Sequence, residues 1–430
     1  MRILIIGSGG REHALTWALA RSTHAAELYI APGNPGTSLL GINVDIAVGD
    51  IDTLLRFAQE HQIDLTVVGP EQPLVDGIVD AFQAEGLAIV GPTAAAAQLE
   101  GSKAFSKAFM AKHGIPTAAY ATFGRDQHDE AMAYIAEQGA PIVVKASGLA
   151  AGKGAVVCTA VDDAQATASG MLRGDAFGAA GEHIVVEAFM EGEEASLFAL
   201  CDGTDYVLLA PAQDHKRVGE GDTGLNTGGM GAYAPAPVMT PGLIDEACRT
   251  IVEPTLAGMR AEGSPYTGIL YVGLMITSEG PKVVEYNCRF GDPETQVVLP
   301  LLKDDLIDLF FKLTQGQLRD VTLTPTEGAA ACVVLASGGY PAAYEKGKTI
   351  TGDVDSVSDE VMVFQAGTKQ HNGHLVTAGG RVLAVSAIGG DIPAALDRAY
   401  GRLGEISFGD AYYRRDIGWR AIERLNTADR

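Results

Sequence analysis

A short apolar run, a turn containing Gly or Pro and a stretch of helical spacing follow one another repeatedly through residues 1–100. No other feature restricts the fold as strongly. Arg2–Ile6 reads as a buried strand, Gly7–Gly10 as a turn, and Arg11–Arg21 as a helix with Ala14, Leu15, Ala18 and Leu19 on one side. Glu27–Ala31 and Pro32–Gly36 repeat the strand and the turn. Leu54–Glu60 is helical, Leu65–Val68 is a strand ending in Gly69-Pro70-Glu71, Ile78–Glu85 is helical, and Ala88–Val90 is a strand ending in Gly91-Pro92. Such units predict a parallel, doubly wound sheet whose ligands bind beyond the carboxyl ends of the strands.

Beyond this unit, Ser102–His113 reads as a helix stopped by Gly114-Ile115-Pro116. Residues 117–190 read as a small α+β unit with strands Pro141–Ala146, Gly154–Cys158 and His183–Phe189 and a helix near 162–172. Residues 191–325 add strands Ser196–Cys201, Tyr206–Ala212, Gly268–Thr277 and Lys282–Tyr286, a long polar loop at 213–234 and a helix near Asp304–Leu313. Gly316–Glu327 reads as a linker. The last 100 residues return to strands (Gly328–Ala336, Val361–Gly367, Arg381–Ala387) and a helix at 391–404.

The formal charge of −23 argues against a nucleic-acid partner, which needs a basic face, but leaves room for a local basic pocket for small phosphorylated molecules. Cys158, Cys201, Cys248, Cys288 and Cys332 are odd in number and widely spaced, so neither a disulfide framework nor a zinc site is expected. No apolar run approaches the roughly 20 residues of a membrane helix. The expectation is a soluble, cytoplasmic protein with no membrane partner.

Five segments carry chemistry. Gly7 to Glu12, between strand and helix, could bring a phosphate to backbone N–H groups at a helix N-terminus, with Arg11 beside it. A dinucleotide fold is disfavoured, since its third glycine would fall at Glu12 and no acidic residue follows the second strand. A plain tight turn with a surface Arg accounts for the segment equally well. Val143 to Gly154 presents Lys145 from a strand and Lys153 from a loop holding Ser147, Gly148, Gly152 and Gly154. The spacing is not that of a Walker loop, yet a fixed cation, mobile donors and a second cation suit a triphosphate under a closing loop. The bland reading is an exposed hairpin.

In the third segment, Glu187, Ala188, Phe189 and Met190 lead from an apolar strand to Glu194. Apolar walls and a carboxylate suit adenine and ribose, although alone the segment reads as a strand and a solvated turn. In the fourth, Glu285, Asn287 and Arg289 alternate along a strand and share one side. The first two are hard oxygen ligands for Mg²⁺, and an Arg beside them can grip a carboxylate or phosphate bidentately. Asp292 follows. The fifth, residues 213–231, is a long Gly-rich connection carrying Asp214, His215 and Lys216, and loops of that length are usually functional. His215 is either a general base or a structural residue.

The segments GSGGREHA, GPEQPL, GSKAFSK, KASGLAAGKG, GEEAS, QDHKRVGEGDTGLNTGGMGAY, VVEYNCRFGDPETQ and AGTK followed by TAGGRVL together resemble the phosphoribosylamine–glycine ligases of the ATP-grasp superfamily. The resemblance runs essentially the full length. It implies an α/β and α+β multidomain protein: an N-terminal doubly wound parallel sheet at 1–101, a central ATP-grasp fold at 102–327 with a lid at about 117–190, and a mostly β domain at 328–430. It implies that ATP phosphorylates glycine and that the amine of 5-phosphoribosylamine attacks the glycyl phosphate. Glu285 and Asn287 would hold Mg²⁺, or Mn²⁺ in its place. Lys103, Lys145, Ser147, Gly148, Gly152, Lys153 and Gly154 would meet the nucleotide phosphates, with Glu187–Met190 at adenine and Glu194 at ribose. Arg289, Asp292, Lys216 and Asp214 would act at the reacting groups. Gly10, Arg11, Glu71, Lys369, Gly380 and Arg381 are similar in placement to ribose-phosphate contacts. Two domains each carry a Gly-Gly-Arg step, which predicts a clamp of Arg11 and Arg381 around one phosphate. Another ATP-grasp ligase or phosphoribosyl carboxylase, or a non-catalytic nucleotide-binding module, are the competing readings.

Overall fold

The structure is a computed structural model that describes residues 1–428 apart from 25–26, 151–153, 176 and 356–357. Its N-terminal sheet is parallel throughout. The strands β1 (Arg2–Gly7), β2 (Glu27–Pro32), β3 (Ile42–Asn43), β4 (Leu65–Val68) and β5 (Ile89–Val90) lie in the order β3-β2-β1-β4-β5. Ile3, Leu4, Ile5 and Ile6 are fully buried, because helices cover both faces of such a sheet. The chain order reverses beside β1, and that switch point is where a doubly wound sheet opens a crevice. The turn Ser8-Gly9 and the helix Gly10–Ala20 stand at that crevice.

The unit expected from the sequence to be a lid is an antiparallel sheet of β6 (Tyr120–Gly124), β7 (Ile142–Ala146), β8 (Ala155–Cys158) and β9 (His183–Ala188), ordered β6-β9-β7-β8. Helices His128–Gln138 and Val161–Arg173 pack on it around Phe123, Ile135, Val144, Met171 and Val186, a core separate from the rest. Strand β6 and helix His128–Gln138 were not foreseen from the sequence.

The next strands are β10 (Glu193–Asp202), β11 (Tyr206–Leu208), β12 (Gln213–Asp214), β13 (Arg217–Gly219), β14 (Thr223–Asn226), β15 (Gly231–Ala234), β16 (Thr267–Thr277) and β17 (Gly280–Asn287). The central sheet is β11-β10-β16-β17, antiparallel. The expected loop at 213–234 is mostly strand. β13 and β14 form a hairpin, while β12 and β15 join the C-terminal sheet. That sheet runs β12-β15-β18-β22-β19, with β18 (Ala329–Ser337), β19 (Val361–Gln365), then the separate hairpin β20 (Thr368–His371) and β21 (His374–Thr377), then β22 (Arg381–Gly389) and β23 (Ala411–Tyr412), which pairs with β18. The Gly-rich composition hid short strands whose partners lie far along the chain. Within β15, Ala232, Tyr233 and Ala234 are fully buried, which offsets the cost of ordering a glycine-flanked segment. Among the described residues no helix is long and apolar enough to cross a membrane.

Candidate active site

A cavity of about 420 Å³ opens where the β6-β9-β7-β8 sheet, the central sheet and the helices Glu71–Val75, Ala94–Gly101 and Lys103–Lys112 meet. One wall is cationic. Lys145 comes from β7, and Lys103 and Lys107 from successive turns of one helix, where residues four apart share a face. Lys107 and Lys145 both bind Oε2 of Glu187, at 3.1 and 3.0 Å. Lys107 also donates to Thr117 Oγ1 (2.7 Å) and Lys145 to the Val284 carbonyl (3.1 Å). Burial pushes the Lys107 ammonium down to about 8 against the pull of Glu187. The other carboxylate oxygen of Glu187 is buried and has no partner among the described residues. Ala188, Phe189 and Met190 continue this wall, and Phe189 is exposed to the cavity mouth.

The facing wall is β17 and its continuation. Glu285, Asn287 and Arg289 all line the cavity, as strand alternation requires. Glu285 makes no hydrogen bond or ion pair among the described residues. Arg289 is engaged at Nε by Glu71 (3.2 Å), at Nη2 by Glu100 (2.8 Å) and Asn287 Oδ1 (3.1 Å), and at Nη1 by the Phe290 carbonyl (3.1 Å). Four of its five N–H donors are therefore taken within the protein. A bidentate grip on a substrate, the sequence expectation, is not available in this arrangement; one N–H remains.

Between the walls lies a polar floor, half-buried at Lys216 and Glu194 and buried at Asp214, Tyr271 and Glu294. Lys216 Nζ bonds Glu194 Oε2 and Asp214 Oδ1, each at 2.8 Å. Tyr271 donates to Glu294 Oε1 (2.7 Å) and pairs with Ser196 Oγ (2.8 Å). Burial, and then the neighbouring charge of Asp214, push the Glu294 carboxyl up to about 7. Asp214 and Glu194 hold the Lys216 ammonium well above its ordinary value despite burial.

The N-terminal unit closes the third side with Arg11 and Glu71, and Arg381 reaches in from β22 with Asp292. Arg11 Nε bonds Glu12 Oε1 (2.6 Å) and Arg11 Nη1 the Phe290 carbonyl (3.2 Å). Asp292 is shared between Arg381 Nη2 (2.9 Å) and Gln296 Nε2 (2.8 Å).

Of the residues picked from the sequence, Ser147, Gly148, Gly10, Gly380 and Lys369 are not among those lining the cavity. Ser147 is spent on the fold: its carbonyl accepts from the Lys103 amide (2.8 Å) and its Oγ from the Ala104 amide (3.0 Å). Gly148 donates its amide to the Ala180 carbonyl (3.0 Å). Gly10 starts the first helix, and a Cβ there would meet Gln296 Nε2 at 2.8 Å. Gly380 is packed under Tyr340, and Lys369 is exposed on β20. Gly154 lines the cavity; Gly152 and Lys153 lie outside the described residues. His215 is fully buried, stacked at a tilt on Tyr233, and its Nε2 accepts from the Gly418 amide (3.2 Å). Burial, then Arg414 and Arg420, push its imidazole down to about 3. It is a neutral structural residue turned toward the C-terminal unit and not toward the cavity, which removes the general-base reading. Sequence reasoning passed over Glu100, Lys107, Tyr271 and Glu294. Lys107 carried a signal, its four-residue spacing from Lys103.

Three family models match the chain: the phosphoribosylglycinamide synthetase N domain at residues 1–100, its ATP-grasp (A) domain at 101–295 and its C domain at 330–420. The chain is 53% identical over 427 residues to the phosphoribosylamine–glycine ligase of Vibrio cholerae, covering 99% of both. It is 52% identical over 429 residues to that of Escherichia coli O6:H1, again covering 99% of each. The crystal structure of phosphoribosylamine–glycine ligase from Thermotoga maritima superposes with a TM-score of 0.83 at 35% identity, over 97% of this chain and 100% of that one. The biotin carboxylase domain of 2-oxoglutarate carboxylase from Hydrogenobacter thermophilus shares the fold at 16% identity and a TM-score of 0.73, over 96% and 91%.

Proposed function

The chain belongs to the phosphoribosylglycinamide synthetase family, and from that premise we propose that its cavity joins glycine to 5-phosphoribosylamine while ATP is split to ADP and phosphate. The observation that carries this reading is the opposition of the two walls. A lysine-lined side suited to polyphosphate faces an acidic and amide side suited to a cation, with Arg11 and Glu71 of the N-terminal unit alongside.

The enzyme uses ATP and a divalent metal. We take the ion to be Mg²⁺, which Mn²⁺ could replace. Glu285, a carboxylate with no protein partner among the described residues, and the Asn287 amide oxygen are hard donors fit to hold it. An ion held there would supply charge neutralisation for the phosphoryl transfer. Lys103, Lys107 and Lys145 hold the nucleotide, with Glu187 to Met190 at its base. A carboxylate oxygen of glycine attacks the terminal phosphorus and ADP leaves. Arg289 and Lys216 compensate the charge of the acyl phosphate; transfers of this kind depend on positioning and charge more than on a protein nucleophile. The amine of phosphoribosylamine then attacks the acyl carbon, phosphate departs and the amine gives up a proton. We assign that proton to Glu294, which lines the cavity and whose carboxyl is pushed up to about 7. Arg11 and the start of the first helix receive the ribose phosphate.

The test is ADP formation by the purified protein, with phosphoribosylamine formed in situ from ribose 5-phosphate and ammonia. Turnover should need glycine and phosphoribosylamine together. ADP release supported equally by other amino acids or carboxylates would point to a different ATP-grasp ligase.

A further inference from the structure

Glu100 is buried at the edge of the cavity, yet no step of the proposed reaction requires it. It sits in the last turn of the helix Ala94–Gly101. Its Oε1 accepts from Arg289 Nη2 at 2.8 Å, and its Oε2 accepts from the backbone N–H of Cys288 at 2.6 Å. Both bonds join segments almost 190 residues apart in sequence. One carboxylate thus fixes the side chain of Arg289 and the backbone just before it.

Three residues further on, Lys103 opens the next helix, with Ser102 between them as its cap: Ser102 Oγ accepts from the Phe105 amide (3.2 Å). The stretch from Glu100 to Lys103 therefore supplies both the anchor of the acyl-side arginine and a lysine of the nucleotide wall. Burying a carboxylate is costly unless it is paired and hydrogen-bonded, and Glu100 is satisfied on both oxygens, by Arg289 and by the Cys288 amide. Glu71 and Asn287 hold the remaining flanks of the guanidinium, which leaves a single N–H on Nη1.

Resting on the ligase reading, we propose that Glu100 is a positioning residue. By locking Arg289 Nη2 to the Cys288 amide it aims the one uncommitted N–H of Arg289 at the transferring phosphoryl group. Arg289 arrives oriented, so no reorganisation is needed when charge develops.

The experiment is a double-mutant cycle of Glu100→Gln and Arg289→Lys, read as the glycine- and phosphoribosylamine-dependent rate of ADP formation and as thermal unfolding. Glu100→Gln should lower kcat about 10- to 100-fold, the scale of one charged hydrogen bond, with the KM for ATP nearly constant. In the Arg289→Lys background the same change should cost less than about threefold, because a residue acting through another is not additive with it. Glu100→Asp keeps the charge but shortens the reach; it should show an intermediate loss, and it serves as the second variant where Glu100→Gln does not fold. Additive losses in the double variant, or lowered thermal stability with wild-type kcat, would overturn the role of Glu100 and leave the ligase assignment standing. A wild-type protein that forms no ADP with these substrates would overturn both.

Discussion

The molecule contains the step Gly-Gly-Arg twice, each time with its Arg lining one cavity, and uses it in two ways. Gly9-Gly10-Arg11 runs into a helix, and Gly379-Gly380-Arg381 runs into strand β22. At the first, Arg11 commits two N–H groups to Glu12 and Phe290 and keeps three without a partner among the described residues. At the second, Arg381 Nη1 donates to the carbonyls of Gly228 and Asp292, at 2.5 and 2.6 Å, and Nη2 holds the Asp292 carboxylate. The element that the tripeptide enters decides its use. At the helix start the Gly9 N–H is bonded to Glu12 Oε2 (2.6 Å) and the donors left uncommitted among the described residues belong to the buried Arg11, whereas the strand start points its Arg into neighbouring backbone. Under the proposed reaction the first step is the one that receives an anion, through Arg11. The second is a strap that ties the 228–229 turn to the 292 loop.

The largest effect separating the two concerns Arg11→Ala. The KM for phosphoribosylamine should rise roughly 10- to 150-fold, the worth of one charged hydrogen bond, while those for ATP and glycine stay near wild type. Initial-rate kinetics on each substrate in turn checks this. An equal and equally selective rise from Arg381→Ala would restore the two-domain clamp expected from the sequence.

Next comes pH, since neither guanidinium titrates but Glu294, near the strapped loop, does. Its folded carboxyl is raised to about 7, so its basic form is lost as pH falls through that value. If the base form is required, kcat should fall roughly tenfold between about pH 8 and pH 6, and Glu294→Gln should be slow and flat over that range. The limb should persist in Arg11→Ala. A wild-type kcat profile level across this range would remove Glu294 from proton transfer.

Smaller on activity, Arg381→Ala should act through structure. It leaves the Asp292 carboxylate without its ion pair and two carbonyls without a donor. Unfolding stability should drop by about 1–3 kcal/mol, measured by denaturant titration, with the three KM values shifting together. Smallest of all is Lys369→Ala. That side chain is exposed on β20, and neither kinetics nor stability should change measurably.

The parallel sheet and the alternation of Glu285, Asn287 and Arg289 were legible because local period alone encodes them: a buried apolar run, or every second residue on one face. Lys145, Glu187 and Glu194 were legible through the same strands. Glu100 and Glu294 were not, since their worth lies in partners brought from far along the chain. The strands within 213–234 were obscured for a related reason: two to four residues, in three of the four strands including Gly, carry almost no intrinsic preference, and pairing with β18 makes β15 a strand. The helices Pro241–Ala247 and Glu253–Ala261 also went unassigned, although Thr240 caps the first through Leu243. Arg289 shows the opposite error. Its type and position were legible, but the number of donors it has left depends on Glu71 and Glu100, which only the folded chain places beside it.

Strand β15 lies against β18, so the segment carrying Asp214 and Lys216 completes a sheet whose other members begin at residue 329. During synthesis the chain exposes that segment long before its partner leaves the ribosome. The lysine wall and the Glu285 strand can be in place while β12 and β15 still lack their neighbour. The part of the cavity floor that carries Asp214 and Lys216 therefore gains its sheet neighbour last, after the part built by Ser196, Tyr271 and Glu294.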